Sequence, residues 1–587
     1  MSAPATDAAF LGVCASLTGR RWIGPAPETT RLAEAIGQQT GLAPALCLTL
    51  ARRGVLPEAA QAFLEPALRD LLPDPHALRD IQPAAARLLQ AVRRRERIAI
   101  FADYDVDGGS SAALLIWWLR ALDRQATLYV PDRIDEGYGP NDDAMAMLAG
   151  GHDLIICVDC GTLSHGPVAA ARGADVIILD HHLGGETLPD CVAVVNPNRQ
   201  DESGDLAHLC AAAVVFLTLV EANRQMRAAG AGGPDLMGLL DLVALATVAD
   251  VAPLVGVNRA LVRQGLRIMA RRERPGLVAL ADVARMDSAP RAYHLGFLLG
   301  PRVNAGGRIG AADLGARLLA SANPAEARAL AERLDQLNTE RRDIESAVRD
   351  AALAQAEARG LEAPLVWAAD DGWHPGVVGI VASRLKEATG RPAVVIGFDA
   401  AGIGKGSGRS VAGVDLGAAI QRLAAEGLLI KGGGHRMAAG LTVAREQLPA
   451  AMARLSDLLA RQGAGQGGAA DLRLDGMLMA TAITPELIDS LEGAGPFGQG
   501  APAPRFALPD MAIRFAKRVG SGHLKLTLAD HAGPTLDAIA FGAFDSPLGA
   551  ALEGHAGQRF HLAGRLEINE WGGRRRVQLR LEDASPA

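Results

Sequence analysis

The stretch RIAIFADYDVDGGSSAALLIWWLR, residues 97–120, decides the fold. Its first half is an unbroken apolar run that ends in acids, as expected of a strand buried on both faces. Its second half reads as an apolar helix. Between them stand Asp103, Asp105 and Asp107 at alternate positions, where mutual repulsion is worst. One reading is a solvated turn; the other is a cation site. The surrounding chain decides between them.

Working outward, the same alternation repeats to about residue 198. ATLYVPDR, HDLIICVDCGT and DVIILDHH read as strands, and NDDAMAMLAG and HGPVAAARGA as the helices between them. Alternating strands and helices predict a parallel sheet covered on both faces. In such sheets ligands gather beyond the carboxyl ends of the strands. Asp103, Asp105 and Asp107, then Asp159, then Asp180, His181 and His182, each fall at such an end. Asp250 in LATVADVAPL ends an apolar, helix-like run and adds another acid. Burying this many carboxylates without cations is very costly or forces several to protonate. Mixed carboxylate and imidazole donors suit Mn²⁺, Mg²⁺ or Fe²⁺ better than a thiolate-preferring metal. Two cations sharing a bridging carboxylate clamp the attacking and leaving oxygens of an in-line phosphoryl displacement.

Composition sets the frame. A chain of 587 residues is too long for a single core, and 49% hydrophobic with 21% charged residues reads as globular. The formal net charge of −7 gives no global sign of a nucleic-acid partner, yet metal ligands themselves supply negative charge. Residues 1–10 lack the pattern of a signal peptide, and Asp241 and Asp250 interrupt the most apolar window, so no membrane span is expected. Six cysteines in so long a chain do not suggest a disulfide framework, and a reducing cytoplasm is expected. Cys157 and Cys160 form a CxxC without a partner pair, so they read as packing residues.

The rest of the chain is organised around one long helix. Residues 1–80 read as helical and proline-punctuated. In 322–360, Asn323 is a natural N-cap, Pro324 suits the first helical position, Glu326 has capping-box spacing and Gly360 ends the run. Continuous, it spans on the order of 55 Å at 1.5 Å per residue and forms a rigid strut. A second α/β pattern covers about 363–460, and RQGAGQGGAAD (461–471) reads as a flexible linker. Several short β-type runs follow from about 472, broken by glycine-rich turns, which suggests a small barrel.

In that order and spacing, DYDVDG, VDCG, LDHH and ATVADV resemble the four motifs of the DHH phosphoesterase superfamily. GPRVNAGGRIG, WHPGVVGIVASRL, GSGRS, KGGGHRMAAG and PFGQGAPAP resemble its RecJ family of single-strand exonucleases in particular. The resemblance implies an α/β protein. Two α/β domains (a parallel-sheet DHH domain and a DHHA1 domain) are joined by the long helix and followed by a C-terminal OB-like β-barrel. The expected boundaries are 1–80 helical N-terminal region, 81–321 DHH catalytic domain, 322–360 connecting helix, 361–460 DHHA1 substrate-binding domain and 472–587 OB-fold nucleic-acid-binding domain. The implied activity is 5′→3′ hydrolysis of single-stranded DNA to 5′-mononucleotides with two Mn²⁺ or Mg²⁺ ions, in DNA recombination and repair. A helicase and a single-stranded-DNA-binding protein are the implied cooperating partners, with a monomer and no membrane association.

Carried over by motif, Asp105, Asp107, Asp159, His181 and Asp250 match metal ligands, with Asp159 as the bridge. Asp103 matches a ligand or an orienting acid. His182 matches the residue facing the scissile phosphate, and Asp180 the one that orients the histidines. Cys160 stands where the family usually has Asn.

An enzyme that starts at a 5′ end needs a terminal-phosphate pocket, which arginines and glycine-flanked N–H groups suit. Arg133, Arg302, Ser407 and Arg409 are the expected pocket, with Asn304 and Arg308 in the same GPRVNAGGRIG motif. His435 after three glycines, before an expected small-residue helix, completes the substrate set. In the last domain Trp571, Arg574, Arg575 and Arg576, with Lys517, Arg518 and Lys525, could supply stacking and backbone contacts. Two other readings compete: a hydrolase of short oligonucleotides or cyclic dinucleotides, and a non-catalytic nucleic-acid scaffold. The strut and barrel favour a long polymer over the first, and the retained ligand set weighs against the second.

Overall fold

A computed structural model describes residues 9–133, 135–465, 471–520, 522–531, 533–571 and 574–587, the side chains of 570, 571 and 574 excepted. Residues 1–8, the linker at 466–470 and the side chains of Trp571 and Arg574 therefore lie outside the described residues. The chain forms two compact units, Leu72–Gly467, and Met1–Leu71 together with Gly468–Ala587. Among the described residues no helix is long and apolar enough to cross a membrane.

The larger unit opens on a sheet of β1 (Ile98–Ala102), β2 (Ala126–Tyr129), β3 (Leu154–Val158), β4 (Asp175–Leu179) and β5 (Ala193–Val195). Every pairing is parallel, in the order β2-β1-β3-β4-β5. Helices α1 (Val106–Arg120), α2 (Asp142–Gly151) and α3 (His165–Ala170) make the crossovers. Every residue of β1, β3 and β5 is buried, which accounts for their unbroken apolar runs. The strand order reverses between β1 and β3, and that reversal opens a crevice at the carboxyl edge.

Behind the sheet run α4 (Ala211–Ala228), α5 (Leu240–Ala249), α6 (Gly256–Met269) and α7 (Gly300–Ile309). Helix α8 (Pro324–Arg359) is continuous over 36 residues, roughly 54 Å at 1.5 Å per residue. Asn323 caps it by accepting from the N–H groups of Ala325 and Glu326. Glu326 does not close the expected box directly. It accepts from Ser321 Oγ, and that oxygen accepts from the Asn323 N–H, so the box is relayed through a serine.

Val348, Ala352 and Ala356 of α8 join the core of a second sheet through β6 (Val366–Asp371), α9 (Pro375–Thr389) and β7 (Ala393–Phe398). This sheet is mixed, with β8 (Ile403–Arg409), β9 (Lys431–His435) and β10 (Ala438–Ala444) in the order β9-β10-β8-β7-β6. Only β6–β7 is parallel. The KGGGHRMAAG segment is thus the β9–β10 hairpin and not the start of a helix. Lys431 pairs with Thr442 and His435 with Ala438, because small residues flanking a short turn zip as readily into a ladder as they open a helix.

In the smaller unit, β11 (Phe506–Val519), β12 (His523–Ala529), β13 (Thr535–Ala540), β14 (Arg559–Trp571) and β15 (Arg574–Pro586) close a five-stranded barrel among the described residues. They run β11-β12-β13-β15-β14, with β14 returning to β11. The helical N-terminal region does not stand alone. Ile36, Leu46 and Leu50 pack with Leu491 and Phe506, and buried Trp22 donates from Nε1 to Asp583 at 2.9 Å. A few short helices cannot bury enough apolar surface by themselves, and here the barrel supplies the rest.

Candidate metal centre

The sheet register builds the site. Ala102 aligns with Val158, Val158 with Leu179, and Leu179 with Val195. The ladder continues one residue further: the N–H groups of Asp103, Asp159 and Asp180 donate to the carbonyls of Val158, Leu179 and Val195. Asp103, Asp159, Asp180 and Asn196 therefore stand side by side at one edge, about 4.8 Å apart by strand spacing. Asp103 and Asp159 flank the β1/β3 reversal.

Each acid has a local reason for its place. Asp105 is the N-cap of α1 and accepts from the N–H groups of Asp107 and Gly108. Residue 108 has to be glycine, since a Cβ there would lie 2.4 Å from the Asp103 carbonyl. Asp107 is buried on the first turn and accepts from Ala211 and Ala212, buried N–H groups at the start of α4 that have no partner within the helix. Asp159 sits in the left-handed region, with φ 61°, a conformation of the kind concentrated at functional sites. Asp250 is the C-cap of α5.

Three sets of donor atoms each fall within 4.8 Å of one another: Asp103, Asp105 and Asp159; Asp107, His181 and Asp250; and Asp159, His181 and His182. His181 Nε2 lies 3.3 Å from Asp159 and 3.8 Å from Asp107, and its Nδ1 lies 3.9 Å from Asp250. Asp159 and His181 are each shared by two sets. Asp103 Oδ1 and Asp159 Oδ1 are buried with no hydrogen-bond partner. Burial, followed by the neighbouring carboxylates, pushes Asp103 and Asp159 well above the usual carboxylate range, and Asp250 up to about 8. Orphaned, mutually repelling carboxylate oxygens beside an imidazole are what a pair of hard divalent cations relieves. The residues present fit Mn²⁺ or Mg²⁺.

Behind these donor groups stands a hydrogen-bonded layer. Asp180 Oδ1 accepts from the His181 and His182 N–H groups and lies 2.8 Å from His182 Nδ1, while its Oδ2 accepts from Thr162 N and Oγ1. Burial works against charge on both partners. The contact prevails: His182 rises to about 9 and Asp180 falls well below the carboxylate range. Asn196 donates to Thr162 Oγ1 and the His182 carbonyl, and Asn198 to the His181 carbonyl. Tyr138 Oη donates to the Asp159 carbonyl at 3.0 Å and lies 3.0 Å from His182 Nδ1.

Cations gather on the neighbouring wall. Arg133 lies over the Tyr104 ring at 5.1 Å. Burial and then the charge of Arg133 hold Arg308, His374 and Arg409 below their ordinary values, Arg308 at about 10. Arg308 and Gly376 meet closely: Arg308 donates to the Gly376 carbonyl, and a Cβ on Gly376 would lie 2.2 Å from the Arg308 carbonyl. Arg409 donates to Ser407 Oγ and the Gly408 carbonyl. The DHH-side and second-sheet arginines are thus brought together.

The other expected residues have contacts of their own. Arg302 donates to Asp335 of α8 at 2.8 Å and to the Leu298 carbonyl, so it braces α7 against the strut. Asn304 Oδ1 accepts from the Val106 N–H and holds the acidic turn itself. His435 is exposed on the edge strand β9. Lys517 and Lys525 are cross-strand partners on the barrel, and Arg518 pairs with Glu553. Cys157 and Cys160 are free and buried, with burial raising both thiols, in keeping with packing roles. His374 stands within the WHPGVVGIVASRL motif, while Tyr138, Thr162 and Asn198 carry no sequence signal of their own. Asn196 does, since it follows the next strand in the sheet.

Comparison with known proteins agrees with this geometry. The DHH family N-terminal domain matches residues 97–247, the DHHA1 domain 362–461 and the RecJ OB domain 474–583. The fold and the acid–histidine edge define a protein of the DHH class. A single-stranded-DNA-specific exonuclease RecJ of Dickeya dadantii is 40% identical over 565 residues, covering 92% of this chain and 96% of the relative. The Escherichia coli RecJ is 38% identical, covering 93% and 96%. The crystal structure of Thermus thermophilus RecJ with Mn²⁺ superposes with a TM-score of 0.79 at 30% identity, covering 96% of this chain and 79% of that one. The chain belongs to the RecJ family.

Proposed function

We propose that this chain is a metal-dependent exonuclease that hydrolyses single-stranded DNA from its 5′ end to 5′-mononucleotides, in recombination and repair. The observation that carries the reading is the three donor sets linked through Asp159 and His181, beside an arginine wall drawn from two α/β domains. RecJ relatives named single-stranded-DNA-specific exonucleases, and RecJ structures holding Mn²⁺ or Mg²⁺, support it.

Asp103, Asp105, Asp107, Asp159, His181 and Asp250 would hold two divalent cations. When bound, these supply Lewis-acid polarisation of the phosphate and activation of water. The contact with Asp180 favours the protonated form of His182, which would offer a hydrogen bond to a phosphate oxygen while Asp180 fixes the ring. Arg133, Arg308, Ser407 and Arg409 take the terminal 5′-phosphate, His374 lying beside them. Arg302 and Asn304 act through α7 and the acidic turn rather than on DNA. The same proposal includes the domain roles given above, a cooperating helicase and single-strand-binding protein, a monomer and a cytoplasmic site of action.

A timed digest of end-labelled single-stranded and duplex DNA with Mn²⁺, Mg²⁺ or chelator tests it. The expected result is mononucleotide release from the 5′ end of single strands that stops with chelator. Activity confined to dinucleotides, or unaffected by chelator, refutes it.

A further inference from the structure

Asp250 reaches the cation cluster from a turn with an unusual residue in it. The N–H of Val251 donates to the Val248 carbonyl and that of Ala252 to the Thr247 carbonyl. This is the Schellman arrangement, with Asp250 as C-cap and residue 251 in the left-handed position that glycine normally fills. Here the occupant is Val251, at φ 60° and exposed. A β-branched residue in that region is a genuine outlier and persists only where its surroundings enforce it.

The enforcing contact comes from Asn258, fully buried on the first turn of α6. Its Nδ2 donates to the Pro253 carbonyl at 3.0 Å and to the His208 carbonyl at 2.8 Å. An amide NH₂ has two protons, and both are committed. Pro253 lies three residues after Asp250. His208 lies just before Cys210, the N-cap of the helix whose N–H groups at Ala211 and Ala212 hold Asp107. One side chain therefore ties together the two backbone segments that aim Asp250 and Asp107, which share a donor set with His181.

We infer that Asn258 is a positioning residue for the metal centre, holding Val251 in its left-handed turn so that Asp250 stays in register with Asp107. The inference rests on the reading that the cluster binds divalent cations. Without the amide, the turn relaxes toward a conformation valine prefers and Asp250 swings away. Glycine at 251 has no such preference, so it should make the tether dispensable.

The test measures Mn²⁺ binding to the chelator-stripped full chain by electron paramagnetic resonance of free Mn²⁺, with thermal unfolding alongside. Asn258→Ala should weaken Mn²⁺ binding about tenfold, the lower end of what losing a ligand-orienting partner brings. Val251→Gly alone should bind as the unmodified chain does, and Asn258→Ala with Val251→Gly should return to within a few-fold of it. Unchanged binding by Asn258→Ala overturns the inference, as does a double variant as weak as the single one. If Asn258→Ala fails to fold and the double variant folds and binds, the inference holds. If neither folds, it falls, because Asn258 then supports the helices and not the turn. An unmodified chain that binds no Mn²⁺ would instead defeat the metal reading.

Discussion

Oδ1 of Asp180 lies 2.8 Å from Nδ1 of His182, and the same oxygen accepts from both histidine backbone N–H groups. One buried carboxylate thus sets the orientation and the charge of the residue nearest the proposed scissile phosphate.

Asp180→Asn should bring His182 from about 9 back toward the ordinary imidazole range. The raised value means that the stability gained at His182 is present below about 6.5 and lost as pH rises through about 9, while the lowered Asp180 value gives stability that is lost as pH falls below about 4. The variant should lose about 10–100-fold in kcat, and the alkaline limb of its pH–rate profile should move to lower pH. Single-turnover digests across pH check this; an unmoved limb counts against the role of His182.

Metal affinity should rise with pH. Burial and then Asp107 and Asp105 push Asp250 up to about 8, so below that pH the metal-free site holds protons that a cation must displace. The same sign makes the metal-free chain lose stability as pH rises from about 4 through about 8, and bound Mn²⁺ should cancel that loss. Calorimetric Mn²⁺ titrations in buffers of different ionisation enthalpy measure the released protons. No release at pH 7 would contradict the crowded-carboxylate picture.

Asp159→Ala removes a carboxylate shared by two donor sets and should abolish nucleolysis with the fold intact, as read by circular dichroism beside the digest. Retained activity in purified protein would refute the metal assignment.

Arg409→Ala should erode the preference for a 5′-phosphorylated end by roughly tenfold or more, since charged hydrogen bonds contribute about 1.5–3 kcal/mol. Arg302→Ala should leave that preference intact and lower thermal stability, because Arg302 is engaged by Asp335. Competition between phosphorylated and unphosphorylated strands separates the two; equal losses on both substrates by Arg409→Ala would remove it from the pocket.

Gly376→Ala forces a Cβ to within 2.2 Å of the Arg308 carbonyl. It should cost about 1–3 kcal/mol of stability as overpacking does and weaken DNA cleavage, while Mn²⁺ binding is retained. Coincident loss of metal binding would show that the arginine wall and the metal site are not separable.

Much of this was legible in the chain because local chemistry was enough. Unbroken apolar runs ending in acids marked the buried parallel strands, and Asn323-Pro324 and Gly360 bracketed α8 to the residue. The hairpin at Lys431–Ala444 was misread as a helix start because three glycines favour neither form, and only pairing with β8 decides it. Arg302 shows a related limit: its pairing with Asp335 could not be read from the chain, because the partner lies 33 residues away.

The sequence by itself determined which acids and histidines fall at strand ends, since that depends on residue type and spacing within a few residues. Only the tertiary structure decided that Asp103, Asp159, Asp180 and Asn196 share one edge, because sheet register is a long-range pairing. It alone decided that α4 meets Asp107, that Arg308 meets Gly376, and that a valine at 251 can hold a glycine's conformation. Close approaches and strained turns exist only when distant segments pack against one another, and no window of the chain contains both sides of such a contact.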